Sequence, residues 1–310
     1  EFDPEAIESE RGVIASERRT TVDNNNISRL VEQVRATAYV AHPYQFPIIG
    51  WPSDIASWTQ EDLENFYETY YAPNNITMVV VGDVTPEEIF ELAEDYLEDI
   101  PAQEPPASVR TVEPEQQGER RVVIETDAQT PMLHVAFHAG AAADPETLAM
   151  RLLLSILVYG DSARLHRLFV EEEQLAISIG AFPFEGFDPG LVYFYATLPP
   201  GGDLGLLEQR LFEELARIAE DGVSEAELEK TRNIALAEFW GTMATINGKA
   251  AGLGEAAVFH GSYEKLFDFA QDIEAVSSDT LKAVASSVFR RDNATIGMLY
   301  APVVTAEAEE

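Results

Sequence analysis

The chain has no cysteine, only four lysines and only five histidines in 310 residues. Without cysteine there is no disulfide framework and no thiolate metal site, so a metal here would need histidine or carboxylate ligands. No apolar run reaches the about 18 residues of a membrane-crossing helix. The opening EFDPEAIESE has neither the basic nor the apolar region of a signal peptide. Cationic residues are outnumbered, 20 Lys and Arg against 55 Asp and Glu, for a net charge of −35. Such a surface repels nucleic-acid phosphate and anionic lipid, which sets aside nucleic-acid binding and membrane insertion. It suits a cationic partner or, more simply, solubility in a salty or extracytoplasmic setting such as a bacterial periplasm.

What is present is a globular composition, 46% hydrophobic, long enough for two cores. Periodicity predicts helices over 4–20, 26–40 and 59–71, then a strand NITMVVVGD at 75–83. Thr85-Pro86-Glu87-Glu88 starts a further helix, with an N-cap and a proline in the first turn. Residues 101–119 are proline-rich and poor in apolar side chains, which marks a linker. Beyond it come strands RRVVIETD and MLHVAFHA, helices over 146–159 and 161–176, and strands ISIGAFPFE and GLVYFYATL. Helices at about 203–220, 224–245 and 278–289 and a closing strand at 293–301 complete the pattern. The class is α+β, built as layered α/β domains in which helices cover a sheet. The tail TAEAEE, 305–310, reads as disordered.

An internal repeat organises these elements. Asp54-Ile55, Leu63, Asn75 and Thr77 match Asp272-Ile273, Leu281, Asn293 and Thr295 at a constant offset of 218 positions. Ile7, Arg11 and Glu17 lie over Leu228, Arg232 and Glu238 at an offset of 221. Residues 1–100 then read as the later half of a first domain, 101–119 as a linker, and 120–304 as a complete second domain. A complete first copy would begin roughly 100 residues before residue 1.

The stretch ESERGVIASERR, 8–19, holds an oddity. On a helical projection Phe2, Ala6, Ile7, Val13 and Ile14 form an apolar arc, and Glu10 and Glu17 fall inside it. Arg11 and Arg18 lie at its border. A carboxylate on a buried face must be protonated, paired with a cation or bound to a metal. Residues seven apart on a helix are separated by about 10.5 Å along its axis. One metal could therefore take only one of the two directly, with the other supporting it. The second copy has Thr231 where the first has Glu10, so the pair occurs in the first copy alone.

ERGVIASE at 10–17, HPYQFPIIG at 42–50 and YYAPNNITMVVVGDV at 70–84 resemble the pitrilysin/insulinase family of zinc metallopeptidases, the inverzincins. GDSARLHRLFVEEEQLAISI at 160–179 and GVSEAELEKTR at 222–232 resemble its second-domain segments, so the resemblance covers essentially all of 1–304. It implies two homologous layered domains, the first only partly present. It also implies that Glu17 is a zinc ligand and that Glu10 supports it. The family's two histidine ligands and its general base lie in an H-x-x-E-H helix, where the glutamate activates a zinc-bound water against a peptide carbonyl. This sequence contains no H-x-x-E-H, so its zinc site is incomplete. His134 and His138 do not replace that motif, because on a strand they sit about 13 Å apart, too far for one zinc. His42, beside Pro43, reads as structural, while His166 and His260 lack spaced partners. The family's second-domain strand carries an arginine and a tyrosine that hold substrate, whereas GLVYFYATL has tyrosines but no arginine. That departure resembles the metal-binding type of subunit, which acts on extended peptides with a second family subunit closing the chamber. The implied activity is zinc-dependent endopeptidase, with this chain inactive alone. The other readings are a non-catalytic member serving as a structural or substrate-holding partner, and an acidic binding module whose glutamates pair with arginine.

Overall fold

A computed structural model describes residues 3–302. Phe2 and the acidic tail 305–310 lie outside the described residues. Along the chain run helices α1 (Pro4–Arg18), α2 (Asn26–Ala38), α3 (Pro52–Ser57), α4 (Gln60–Tyr70) and α5 (Pro86–Leu97). Strands β1 (Arg120–Glu125) and β2 (Met132–His138) follow, then helices α6 (Pro145–Val158) and α7 (Arg164–His166). Strands β3 (Ser178–Phe184) and β4 (Leu191–Thr197) precede α8 (Leu204–Asp221) and α9 (Glu225–Met243). The chain closes with α10 (Ile246–His260), α11 (Lys265–Ala275), α12 (Ser278–Val288) and β5 (Ala294–Tyr300). The class is the mixed α/β one expected.

Contacts divide the chain into two compact units made of interleaved segments. One gathers residues up to Arg18, 49–110 and 232–275; the other gathers 19–48, 111–231 and 276 onward. The division 1–100, 101–119 and 120–304 groups the chain by sequence likeness instead, and stays a reading of the sequence.

The second unit is built on a five-stranded sheet of order β1-β5-β2-β4-β3. β1 runs parallel to β5 and the other neighbours are antiparallel. Alternation on β2 assigns its side chains to opposite faces. Ala136 joins Leu191, Tyr193 and Leu299 under Leu30, Val34, Ala38 and Tyr39 of the α2 segment. On the other face Phe137 packs edge-on against Phe194 and meets Phe212 and Phe289 of the α8 and α12 layer. Gly297 on β5 is what lets α2 approach, since a Cβ there would stand 2.3 Å from Val34 Cγ2.

Among the described residues, the regular elements of the first unit are all helices. The segment expected as a strand over 75–83 forms no sheet among the described residues. It follows a single turn at Pro73–Asn75 and Ile76 is extended, with φ −120 and ψ 133. A strand needs a hydrogen-bonded neighbour, and local β propensity alone does not supply one. The helix expected over 161–176 is also shorter, reduced to α7 and a wide π turn at Arg167–Glu172. Helices α10 and α11 fill 246–275, a stretch the hydrophobic pattern leaves unassigned.

The repeat is visible as shared construction. Thr59 caps α4 and Ser277 caps α12, 218 positions apart. Asn75 donates its side-chain amide to Tyr70 O at 2.9 Å, and Asn293 donates to Val288 O at 2.9 Å, again at that offset. The same asparagine thus closes the same helix end in both copies.

Candidate functional site

Helix α1 carries both predicted carboxylates, and the structure turns it differently from the projection. The buried residues of α1 are Ile7 and Arg18, at 8% and 5% exposure, while Val13 is 54% exposed. Glu10 and Glu17 share a stripe with Val13, as their spacing requires, but that stripe is exposed. The expectation that two carboxylates point into a buried apolar face is therefore corrected.

The arginines explain the rotation. Arg11 donates to Ile55 O at 2.6 Å and to Trp58 O at 2.8 Å, stacking over the Trp58 ring at 3.9 Å. Arg18 donates to Gly50 O at 2.8 Å and lies 5.6 Å from the Trp51 ring centre. Guanidinium groups that cap carbonyls and stack on indole rings outcompete Val13 for the inner face. Adjacent helical residues differ by about 100°, so drawing both arginines inward swings Glu10 and Glu17 outward. The sequence signal was legible: two arginines seven apart on α1 meet two tryptophans seven apart, in antiparallel order. α1 is thereby fixed in rotation, and its two glutamates lie two turns apart on one exposed stripe.

Those glutamates do not make a metal site by themselves. Among the described residues, no three His, Asp or Glu side chains come together as a possible ligand set. His134 and His138 lie on β2 with two residues' rise between each successive same-face position, and each is engaged separately. His134 is buried and sits 5.9 Å from the Tyr195 ring, and burial lowers its pKa to about 4. His138 Nε2 lies 3.0 Å from Ala38 O, and burial holds its pKa below the usual value. A zinc ion, which takes at least three protein ligands in a catalytic site, does not fit the residues present.

The segment HPYQ is an anchor. His42 is 3% exposed, its Nδ1 accepts from Tyr44 N at 3.2 Å, and its Nε2 lies 3.3 Å from Asp188 Oδ2. Glu113 accepts from the backbone N–H groups of Val40, Ala41 and His42 at 2.8–2.9 Å. Burial pushes the Glu113 pKa up, but these three donors together hold it below the ordinary carboxylate value. The two second-domain segments singled out in the sequence are also tied together. Arg164 Nε and Nη2 donate to the Glu227 carboxylate at 2.6 and 2.7 Å. Glu227 also closes a capping box with Ser224 at the start of α9.

Comparison with known proteins agrees with this architecture. A family model described as the peptidase M16 inactive domain matches residues 57–235. The chain is 27% identical over 289 residues to a zinc protease of Helicobacter pylori, PqqE, covering 92% of this chain and 65% of that protein. It is 24% identical to a probable mitochondrial-processing peptidase subunit beta of Arabidopsis thaliana, covering 92% of this chain and 55% of that one. It thus spans less than two thirds of either relative. A crystal structure of a protease from Helicobacter pylori superimposes with a TM-score of 0.91 at 27% identity, over 97% of this chain and 73% of the other. A peptidase M16 inactive domain from Pseudomonas fluorescens shares the fold, with a TM-score of 0.88 at 18% identity, over 99% and 73%. The family model takes in more than half of the sequence, and the chain belongs to the peptidase M16 inactive-domain family.

Proposed function

We propose that this chain is the part of a pitrilysin-type zinc endopeptidase that contributes Glu17 as one zinc ligand, Glu10 as its support, and a second, non-catalytic domain. The observation that carries this reading is α1 itself. Arg11 and Arg18 fix its rotation, and the two carboxylates stand together on its exposed side. A ligand must be preorganised and accessible to the rest of its site, and a helix held in rotation with both carboxylates exposed supports that reading. The histidine ligands and general base would come from an H-x-x-E-H segment, which these residues do not include. No catalytic step is assigned to this chain's own residues.

A second reading has its own support: the matched family model is described as inactive and covers 57–235, which leaves out α1. On that reading the chain is a non-catalytic partner that holds peptide or structure. Metal content separates the two. In the assembly of this chain with an H-x-x-E-H-bearing polypeptide, Glu17→Gln removes most of the bound zinc if Glu17 is a ligand. Full zinc occupancy in that variant, measured by elemental analysis, contradicts the ligand assignment and favours the non-catalytic partner.

A further inference from the structure

The proline-rich segment 101–119 passes from open to held at a single residue. Residues 107–112 are all exposed, Val112 at 81%. The side chain of Glu113, the next residue, is only 9% exposed. Its Oε1 accepts from Val40 N at 2.8 Å, and its Oε2 accepts from Ala41 N at 2.9 Å and His42 N at 2.8 Å. Three successive backbone N–H groups gathered on one anion make a nest. The capping carboxylates Asp62, Glu88 and Glu227 each take one backbone N–H from a residue three positions away. Glu113 takes three from 71 to 73 positions away, so it is not part of a local turn.

The nest lies where α2 ends with its last carbonyls already in use. Tyr39 N donates to Arg35 O, Arg120 Nη1 donates to Thr37 O at 3.3 Å and to Ala38 O, and His138 Nε2 lies 3.0 Å from Ala38 O. The amides of 40–42 fall beyond the helix and need an acceptor from elsewhere. Arg120 Nη1 also stands 4.0 Å from Glu113 Oε1 and adds a positive charge beside the nest. On a chain with 55 acids against 20 bases, this spot is arranged for an anion. After Glu113 the segment stays attached. Gln116, 3% exposed, donates to Ala294 O at 2.8 Å and to Gly118 O at 2.9 Å, and Arg291 Nε donates to Glu119 at 2.7 Å.

We propose that residues 40–42 form a carboxylate-binding site whose resident ligand, the tethered Glu113, clasps the proline-rich segment and shields it from proteolysis at Arg110–Thr111. Arg110 is exposed and is the one cationic residue of 101–119. Nicking of an exposed segment needs a run of residues on both sides of the bond to straighten in the protease cleft. Glu113 is the third residue beyond that bond, and seating it in the nest pins the run. The site selects an ionised carboxylate, because two acceptor oxygens meet three donors. A glutamine there would set its own N–H groups against those of the nest.

The test is Glu113→Ala in the full chain, read by amide exchange at 40–42 and by trypsin cleavage after Arg110, followed by mass spectrometry. Exchange at 40–42 should rise at least about tenfold. Cleavage after Arg110 should also rise at least about tenfold, relative to the same bond in a free 104–119 peptide carrying the same substitution. Acetate at about 100 mM, well above the millimolar effective concentration of a tether, should slow exchange at 40–42 in Glu113→Ala at least about threefold. It should leave the cleavage fast, because a free anion fills the nest without holding the chain. Acetamide or sodium chloride at the same concentration should slow neither. Glu113→Gln, the milder variant, should match Glu113→Ala in both readouts without added acetate, while Glu104→Gln on the same segment behaves as the parent. Cleavage as slow as the parent's in both Glu113 variants, or exchange that acetate slows no more than chloride or acetamide does, would overturn the proposal.

Discussion

Replacing Glu227 by glutamine tests how an ion pair joins two distant segments of the second unit. Glu227 meets Arg164 through two hydrogen bonds of 2.6 and 2.7 Å, with side-chain exposures of 31% and 21%. The Arg164 guanidinium, helped by Ser224, lowers the Glu227 pKa from 4.5 to about 2. At about 1.4 kcal/mol per pKa unit the shift corresponds to a ceiling of about 3 kcal/mol. Solvent screening of a pair this exposed brings the expected contribution to about 1–2 kcal/mol. The sign follows from the depressed folded pKa: the stabilisation is present above pH 4.5 and is lost as pH falls from there toward 2. Urea unfolding at pH 7 should therefore show Glu227→Gln less stable than the parent by about 1–2 kcal/mol. Near pH 2 the two should converge. Equal midpoints at pH 7, or a difference that persists at pH 2, would refute the electrostatic account of this contact.

Other substitutions probe other parts of the argument. Gly297→Val drives a side chain into Val34 and Leu30 and should cost at least about 1–3 kcal/mol in thermal unfolding. Gly254→Ala meets only an ordinary contact with Val79 within a helix and should stabilise by up to about 1 kcal/mol. Arg18→Met should destabilise and change tryptophan fluorescence through Trp51, whereas Glu10→Gln and Glu17→Gln on the exposed side should stay within about 0.5 kcal/mol. His134, buried with a pKa of about 4 against an ordinary 6.5, makes the parent lose stability as pH falls from 6.5 to 4, because the unfolded chain binds a proton the folded chain does not. His134→Gln should flatten stability over that window.

Much of the fold was legible where a residue's role is local. Thr85 and Glu88 announce the start of α5 and form the capping box there. Asn75 and Asn293, matched by the repeat, make the same helix-closing bond. What misled the sequence reading was non-local. The run NITMVVVGD has strand chemistry, yet pairing depends on a neighbour that no local pattern reveals. Helix α10, rich in glycine and alanine, has almost no amphipathic signature, so its position over Val79 was invisible to periodicity. On α1 the projection ranked Val13 above arginine for the inner face. Tryptophans some forty residues away reversed that order, and the same reversal that corrects the burial of Glu10 and Glu17 leaves them displayed together.

The most direct test of the central claim is zinc content, by elemental analysis, of this chain assembled with an H-x-x-E-H-bearing polypeptide, with and without Glu17→Gln. The account predicts near-stoichiometric zinc in the parent assembly, loss of most of it in Glu17→Gln, and at most weak zinc binding by this chain alone. Tight stoichiometric zinc on the isolated chain, or full occupancy in the Glu17→Gln assembly, would contradict it.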